Sequence, residues 1–136
     1  ILIVMIAIAM IADTIAYKIN QDGLKFIEEQ EGFNPNFYPD SAGEVILKRD
    51  LAEKETCVTE LTKIKINPDQ FSALVLFAYN FGCPYYKSTS LLQKLNSGDI
   101  KGTANEFRLY NKSKGKINKG LIKRREAEKA LFCKNG

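Results

Sequence analysis

The stretch NPDQFSALVLFAYNFG, residues 67 to 82, constrains this chain more than any other. Asn67 is a helix-capping residue type, Pro68 suits the first helical position, where its missing N–H is no loss, and Asp69 places a negative charge in the first turn. From Phe71 to Tyr79 the residues are almost wholly apolar. A helix that is apolar on every side must be surrounded. The chain is therefore expected to wrap its other elements around a central buried helix.

Most of the other segments after residue 20 also carry helical spacing. QDGLKFIEEQEG puts Leu24, Ile27 and Phe26 on one side, with Asp22 as candidate cap and Gly32 as terminator, so Glu31 falls at a helix C-terminus. FNPNFYPDSAGEV has two prolines, Gly43 and alternating aromatics, and reads as a loop or short strand. Ile46, Leu47, Leu51, Val58 and Leu61 then define an amphipathic helix to about Thr62. STSLLQKLNSG is a short helix ending at Gly98, and Asp99 caps the next, DIKGTANEFRLYN. KSKGKINKG reads as a basic, glycine-punctuated loop and LIKRREAEKALFC as a final helix. Phe71, Leu74, Phe77, Leu91, Leu92, Phe107 and Leu131 are the expected core. The fold class is α+β, predominantly α.

A length of 136 residues suits one compact domain with a real core. The N-terminal end differs from the rest. Ile1 to Ala12 is an uninterrupted apolar run, followed by Asp13 and weaker apolar character to Ile19. A bilayer span needs about 20 apolar residues, so the run suits the apolar part of an export signal, a marginal membrane helix or a buried helix. The expected organisation is residues 1–19 as a signal-anchor-like segment and 20–136 as the folded domain.

The net charge is +4 with no histidine, which disfavours His-based acid/base chemistry and His-ligated metals and leaves carboxylates as candidates. No metal or cofactor is expected. From Lys112 to Gly136 there are nine Lys and Arg against Glu126 and Glu128. Such a face suits nucleic acid, anionic lipid or an anionic wall polymer, or is simply solvated. Cys57, Cys83 and Cys133 lack the close spacing of zinc or redox motifs. They can be three buried thiols, or one disulfide and a leftover thiol in an oxidising compartment.

The ordered strings QFSAL, FAYNFG, STSLL, NSGD and GLIKRREAE resemble those of the phage-type lysozymes and endolysins, glycoside hydrolase family 24, over about Asn20 to Cys133. The resemblance implies a helical lobe packed round the central helix. It also implies a catalytic pattern of Glu, eight residues, Asp or Cys, five residues, Thr. Glu31 and Asp40 match the first two positions at that spacing, but the third falls on Ile46. In the family, that Thr opens a strand whose hairpin walls the cleft. Here Val45 runs directly into ILKRDLAEKE, so roughly twenty residues of the enclosure used for glycoside hydrolysis are missing. Either the protein has a reduced hairpin lobe or the sequence omits a segment.

Cleavage of a glycosidic bond requires a proton donor to the leaving oxygen and a second group that positions water or stabilises the sugar cation. The resemblance assigns Glu31 as the acid, its pKa raised by partial burial, and Asp40 as the ionised partner. It places Tyr38, Asn80 and Asn111 near saccharide, and gives Arg124, Arg125 and Glu126 the task of locking the last helix. Some members are exported by a weakly apolar signal-anchor that can leave the membrane. The run from Ile1 to Ala16 is similar to such a segment, and Cys57 and Cys83 fall where those relatives have cysteines, which implies a Cys57–Cys83 disulfide with Cys133 unpaired.

The implied activity is a muramidase cutting the β-1,4 bond between N-acetylmuramic acid and N-acetylglucosamine in phage lysis. The implied protein is a periplasmic monomer, first tethered to the inner membrane through its N-terminal segment, with bacterial peptidoglycan as partner and no nucleic acid. Two other readings compete: a lysozyme-like glycan- or protein-binding module without its hairpin, and a small basic nucleic-acid-binding protein.

Overall fold

The computed structural model describes residues 19–30 and 42–135. Glu31, Tyr38, Asp40 and the apolar run before Ile19 lie outside the described residues. Among those described, the order is α1 (Gln21–Gln30), α2 (Ala42–Leu61), α3 (Pro68–Phe81), α4 (Cys83–Ser88), α5 (Ser90–Asn96), α6 (Ile100–Glu106), a 3-10 turn (Phe107–Leu109), a hairpin of β1 (Lys112–Ser113) and β2 (Lys116–Ile117), and α7 (Lys119–Cys133). None of these helices is long and apolar enough to cross a membrane.

Helix α3 is the centre. Asn67 caps it with a reciprocal box: its Oδ1 accepts from the Gln70 amide at 2.8 Å, and Gln70 Oε1 accepts from the Asn67 amide at 2.9 Å. Every residue from Asp69 to Ala78 is buried. Around it, α2 supplies Leu51, Cys57 and Val58, α5 supplies Leu91, Leu92 and Leu95, and the 3-10 turn supplies Phe107. Phe77 is fully buried and meets Tyr86, Phe107 and Tyr110 edge-on, at centroid distances of 6.1, 5.8 and 5.0 Å. These are the geometries aromatic quadrupoles favour. Cys57 and Cys83 form a disulfide with Cα atoms 6.1 Å apart, joining α2 to α4, and Cys133 is an exposed free thiol.

Four local expectations are corrected and one short helix is added. The cap of α1 is Asn20, whose Oδ1 accepts from the Gly23 amide at 3.0 Å; Asp22 instead pairs with Lys134 at 2.5 Å. Helix α2 begins at Ala42, inside the stretch read as loop or strand. Good helix formers at Ala42 and Glu44 let the turn start once the prolines are passed. Residues 83 to 88 form a short extra helix, with Pro84 in its first turn. Residues 112 to 117 are a paired hairpin rather than a loop, with Lys112 opposite Ile117 and Ser113 opposite Lys116. In α7 the buried residues are Arg125, Glu128 and Phe132, while Leu131 is only partly covered and Glu126 is exposed. Spacings of three and four put Arg125, Glu128 and Phe132 on one stripe, so the lock is an Arg125–Glu128 pair.

Candidate functional site

Helix α1 ends at Gln30, one residue before Glu31 in the sequence, and its start is tied firmly to the core. The Ile19 amide donates to Glu55 Oε2 at 2.8 Å, the Asn20 amide to Ser72 Oγ at 2.9 Å, and Asn20 Nδ2 to Asp69 Oδ1 at 2.7 Å. Gly23 allows close approach to α3, since a Cβ there would lie 2.7 Å from Ile19 Cγ1 and 3.0 Å from Ser72 Cβ. Ten residues at about 1.5 Å each carry the chain some ~15 Å from this anchor.

Between α2 and the C-terminal end of α3 lies an open hollow of about 380 Å³, lined by Asp50, Glu53, Lys54, Tyr79 and Asn80. Asn80 is thus placed in a concave site. Asn111 is not among the lining residues; it sits at the mouth of the hairpin, where its carbonyl accepts from the Asn118 amide at 2.9 Å. Asp50, Glu53, Lys54 and Tyr79 were not anticipated. Their signal was a spacing of three between Asp50 and Glu53, which puts both carboxylates on one face of α2, and the adjacency of Tyr79 to Asn80. Lys54 Nζ lies 3.5 Å from Glu53 Oε1. The hollow therefore offers carboxylate acceptors, an ammonium, an amide and a phenol ring, which suits a polyhydroxylated, neutral or amide-bearing ligand better than a compact anion.

Two clusters with buried charged groups lie among the packed helices. Arg125 is 1% exposed; its Nη2 donates to Glu128 Oε1 at 2.8 Å, its Nε lies 2.5 Å from Oε2, and its guanidinium carbon stands 5.2 and 4.6 Å from the ring centroids of Phe77 and Phe81. Burial lowers the Arg125 pKa and pushes Glu128 up to about 7, against the attraction of each for the other. Glu106 accepts from Ser90 Oγ at 2.9 Å and pairs with Lys94 at 2.7 Å, and the bond from Lys94 holds its carboxyl below the ordinary range. Among the described residues no group of three or more His, Cys, Asp or Glu is arranged to hold a metal ion.

The sequence profile of the phage lysozyme family matches residues 29–128. The chain belongs to this family. Among relatives, it is similar to an endolysin of Bacillus phage B103, 48% identical over 89 residues that cover 65% of this chain and 34% of that protein. An endolysin of Acyrthosiphon pisum secondary endosymbiont phage 1 is 31% identical over 141 positions, covering 84% of this chain and 97% of that protein. A SAR-endolysin of Bacteriophage PS119 is 34% identical over 92 residues, 68% of this chain and 55% of that protein. The chain thus spans about a third of the length of the Bacillus phage endolysins. Its fold resembles the muramidase domain of SpmX from Asticaccaulis excentricus, with a TM-score of 0.76 at 23% identity over 86% of this chain and 98% of that one.

The second of these alignments, with the endolysin of the Acyrthosiphon pisum endosymbiont phage, is gapped. It extends over 141 positions yet takes in 84% of this chain's 136 residues, so about 27 aligned positions face no residue here. Helix α2 runs as continuous helix through Val45 and Ile46.

Proposed function

We propose that the chain is a peptidoglycan hydrolase: a muramidase that cleaves the β-1,4 bond between N-acetylmuramic acid and N-acetylglucosamine and serves phage lysis of the bacterial host. The observation that carries this reading is the family match over residues 29–128, which takes in both Glu31 and Asp40 and ends within α7. In the proposed mechanism Glu31 protonates the leaving oxygen, while Asp40 stays ionised and orients water or stabilises the developing sugar cation. Tyr38, Asn80 and Asn111 are the residues assigned to contact the saccharide, of which Asn80 lines the hollow.

The working location is the periplasm, reached by export and release from the inner membrane. Relatives that carry the name SAR-endolysin, the apolar run from Ile1 to Ala12 and the Cys57–Cys83 disulfide support this. Disulfides persist in oxidising compartments.

A second reading is favoured by one feature. The unbroken α2 leaves no strand among residues 42–61 to bear the family's Thr, so the protein would grip glycan without cutting it, as a binding module. Clearance of a peptidoglycan suspension separates the two: the enzyme clears it and Glu31→Gln loses at least about a hundredfold in rate, the usual weight of a general acid. Sedimentation with peptidoglycan without clearance by wild-type protein would establish the binding module instead.

A further inference from the structure

The net charge of +4 conceals a segregation. Arg108, Lys112, Lys114, Lys116, Lys119 and Lys123 are all exposed, and no Asp or Glu lies between Phe107 and Lys123. Setting these six aside leaves fourteen Lys and Arg against sixteen Asp and Glu. The molecule is a mildly acidic body with one cationic edge, built from the 3-10 turn, the hairpin and the start of α7. None of the six makes a side-chain hydrogen bond or ion pair with the described residues.

The same edge carries apolar side chains in water. Three large hydrophobic residues are exposed among those described, and two of them lie here: Leu109 at 60% and Ile117 at 68%. Across the ladder Lys112 stands opposite Ile117, so one face of the ribbon presents an ammonium beside a branched aliphatic chain. At the tip, Lys114 has φ 52°, a left-handed conformation that costs a residue with a Cβ roughly 1–2 kcal/mol. A cation thus occupies a turn position that Gly or Asn would fill more cheaply.

Lysines ringed around exposed aliphatic groups suit a bilayer surface, where ammonium groups meet lipid phosphates while Ile and Leu enter the headgroup boundary. A nucleic acid strand would instead call for rings to stack on. The rings of this edge, Phe107 and Tyr110, both pack edge-on against Phe77 in the core. We propose that the edge from Arg108 to Lys123 is a docking surface for an anionic lipid bilayer, distinct from the N-terminal apolar run and from the hollow lined by Asp50, Glu53, Lys54, Tyr79 and Asn80.

The test is co-sedimentation of the full chain with vesicles of phosphatidylglycerol and phosphatidylcholine in equal parts, set against pure phosphatidylcholine, at low and high salt. An apolar segment binds both vesicles; the cationic edge adds a salt-sensitive preference for the anionic ones. Replacing Lys112, Lys114 and Lys116 together by Gln is expected to cut that preference by about a hundredfold at low salt, at about fivefold per lysine. The Lys→Arg triple variant retains it. Ile117→Ser weakens anionic binding several-fold while leaving its salt dependence. The proposal is overturned if wild-type protein binds both vesicles equally, if the Gln variant keeps the full preference, or if the Gln variant loses affinity for isolated peptidoglycan while its vesicle preference is unchanged. The last result would give the edge to the cell wall.

Discussion

Arg125 and Glu128 are the residues where burial and charge meet most sharply. Both are about 1% exposed, and the guanidinium is held between the carboxylate and the rings of Phe77 and Phe81. Truncating one partner leaves the other as an uncompensated buried charge, so Arg125→Ala is expected to lower unfolding free energy by about 3–5 kcal/mol. Replacing both by Leu should cost far less, which urea unfolding of the single and double variants will read. The pair also sets a pH slope. Burial raises Glu128 from 4.5 to about 7, so between those values the folded state holds a proton that the unfolded chain releases. Stability therefore falls as pH rises through that window, by up to about 1.4 kcal/mol per pH unit. Glu128→Gln should abolish this part of the slope in melts run from pH 4.5 to 7, even if its absolute stability is lower. Arg124, Arg125 and Glu126 were legible as a lock, but a sequence does not tell which of two glutamates points inward. Helical rotation decides it, and the partner is Glu128 rather than Glu126.

At the scale of elements, signals that act within one turn were readable and those that depend on distant pairing were not. Asn67, Pro68 and the apolar run to Tyr79 announced α3 because the cap, the imino ring and the burial all act locally. The hairpin was read as a loop because two-residue strands have no periodicity to detect and its turn is Lys-Gly, not the usual Asn-Gly or Asp-Gly. Both central residues nevertheless have positive φ, 52° at Lys114 and 77° at Gly115, as that turn requires. The strained position is Lys114. Lys114→Gly removes the left-handed penalty while adding some unfolded-state entropy, so a gain of about 0.5–1 kcal/mol is expected by thermal melting. The same variant should bind anionic vesicles more weakly, so stability and membrane preference move in opposite directions. The hollow was legible only at Asn80 for a related reason: Asp50, Glu53 and Lys54 come from α2, and no local pattern says that the middle of α2 lies beside Tyr79.

For the whole molecule, the fold is a set of short helices held to one buried helix, and its longest outer element, α2, is fastened at a covalent point. The Cys57–Cys83 bridge closes a sequence separation of 26 residues and ties α2 to the short α4 that follows the central helix. Cys57 is 6% exposed and its neighbour Val58 is fully buried, so the bridge sits at the edge of the core. A loop of that length restricts the unfolded chain enough to contribute roughly 3 kcal/mol. Cys57→Ser with Cys83→Ser should therefore lower the urea midpoint by that amount divided by the m-value, and dithiothreitol should do the same to wild-type protein. The double variant should be indifferent to dithiothreitol, since Cys133 has no partner to lose. Because α2 supplies one wall of the hollow at Asp50, Glu53 and Lys54, loosening it should weaken glycan retention before the core melts. Peptidoglycan sedimentation by the reduced protein, measured well below its unfolding midpoint, checks this; unchanged retention would mean that packing of Leu51 and Val58 alone holds α2 in place.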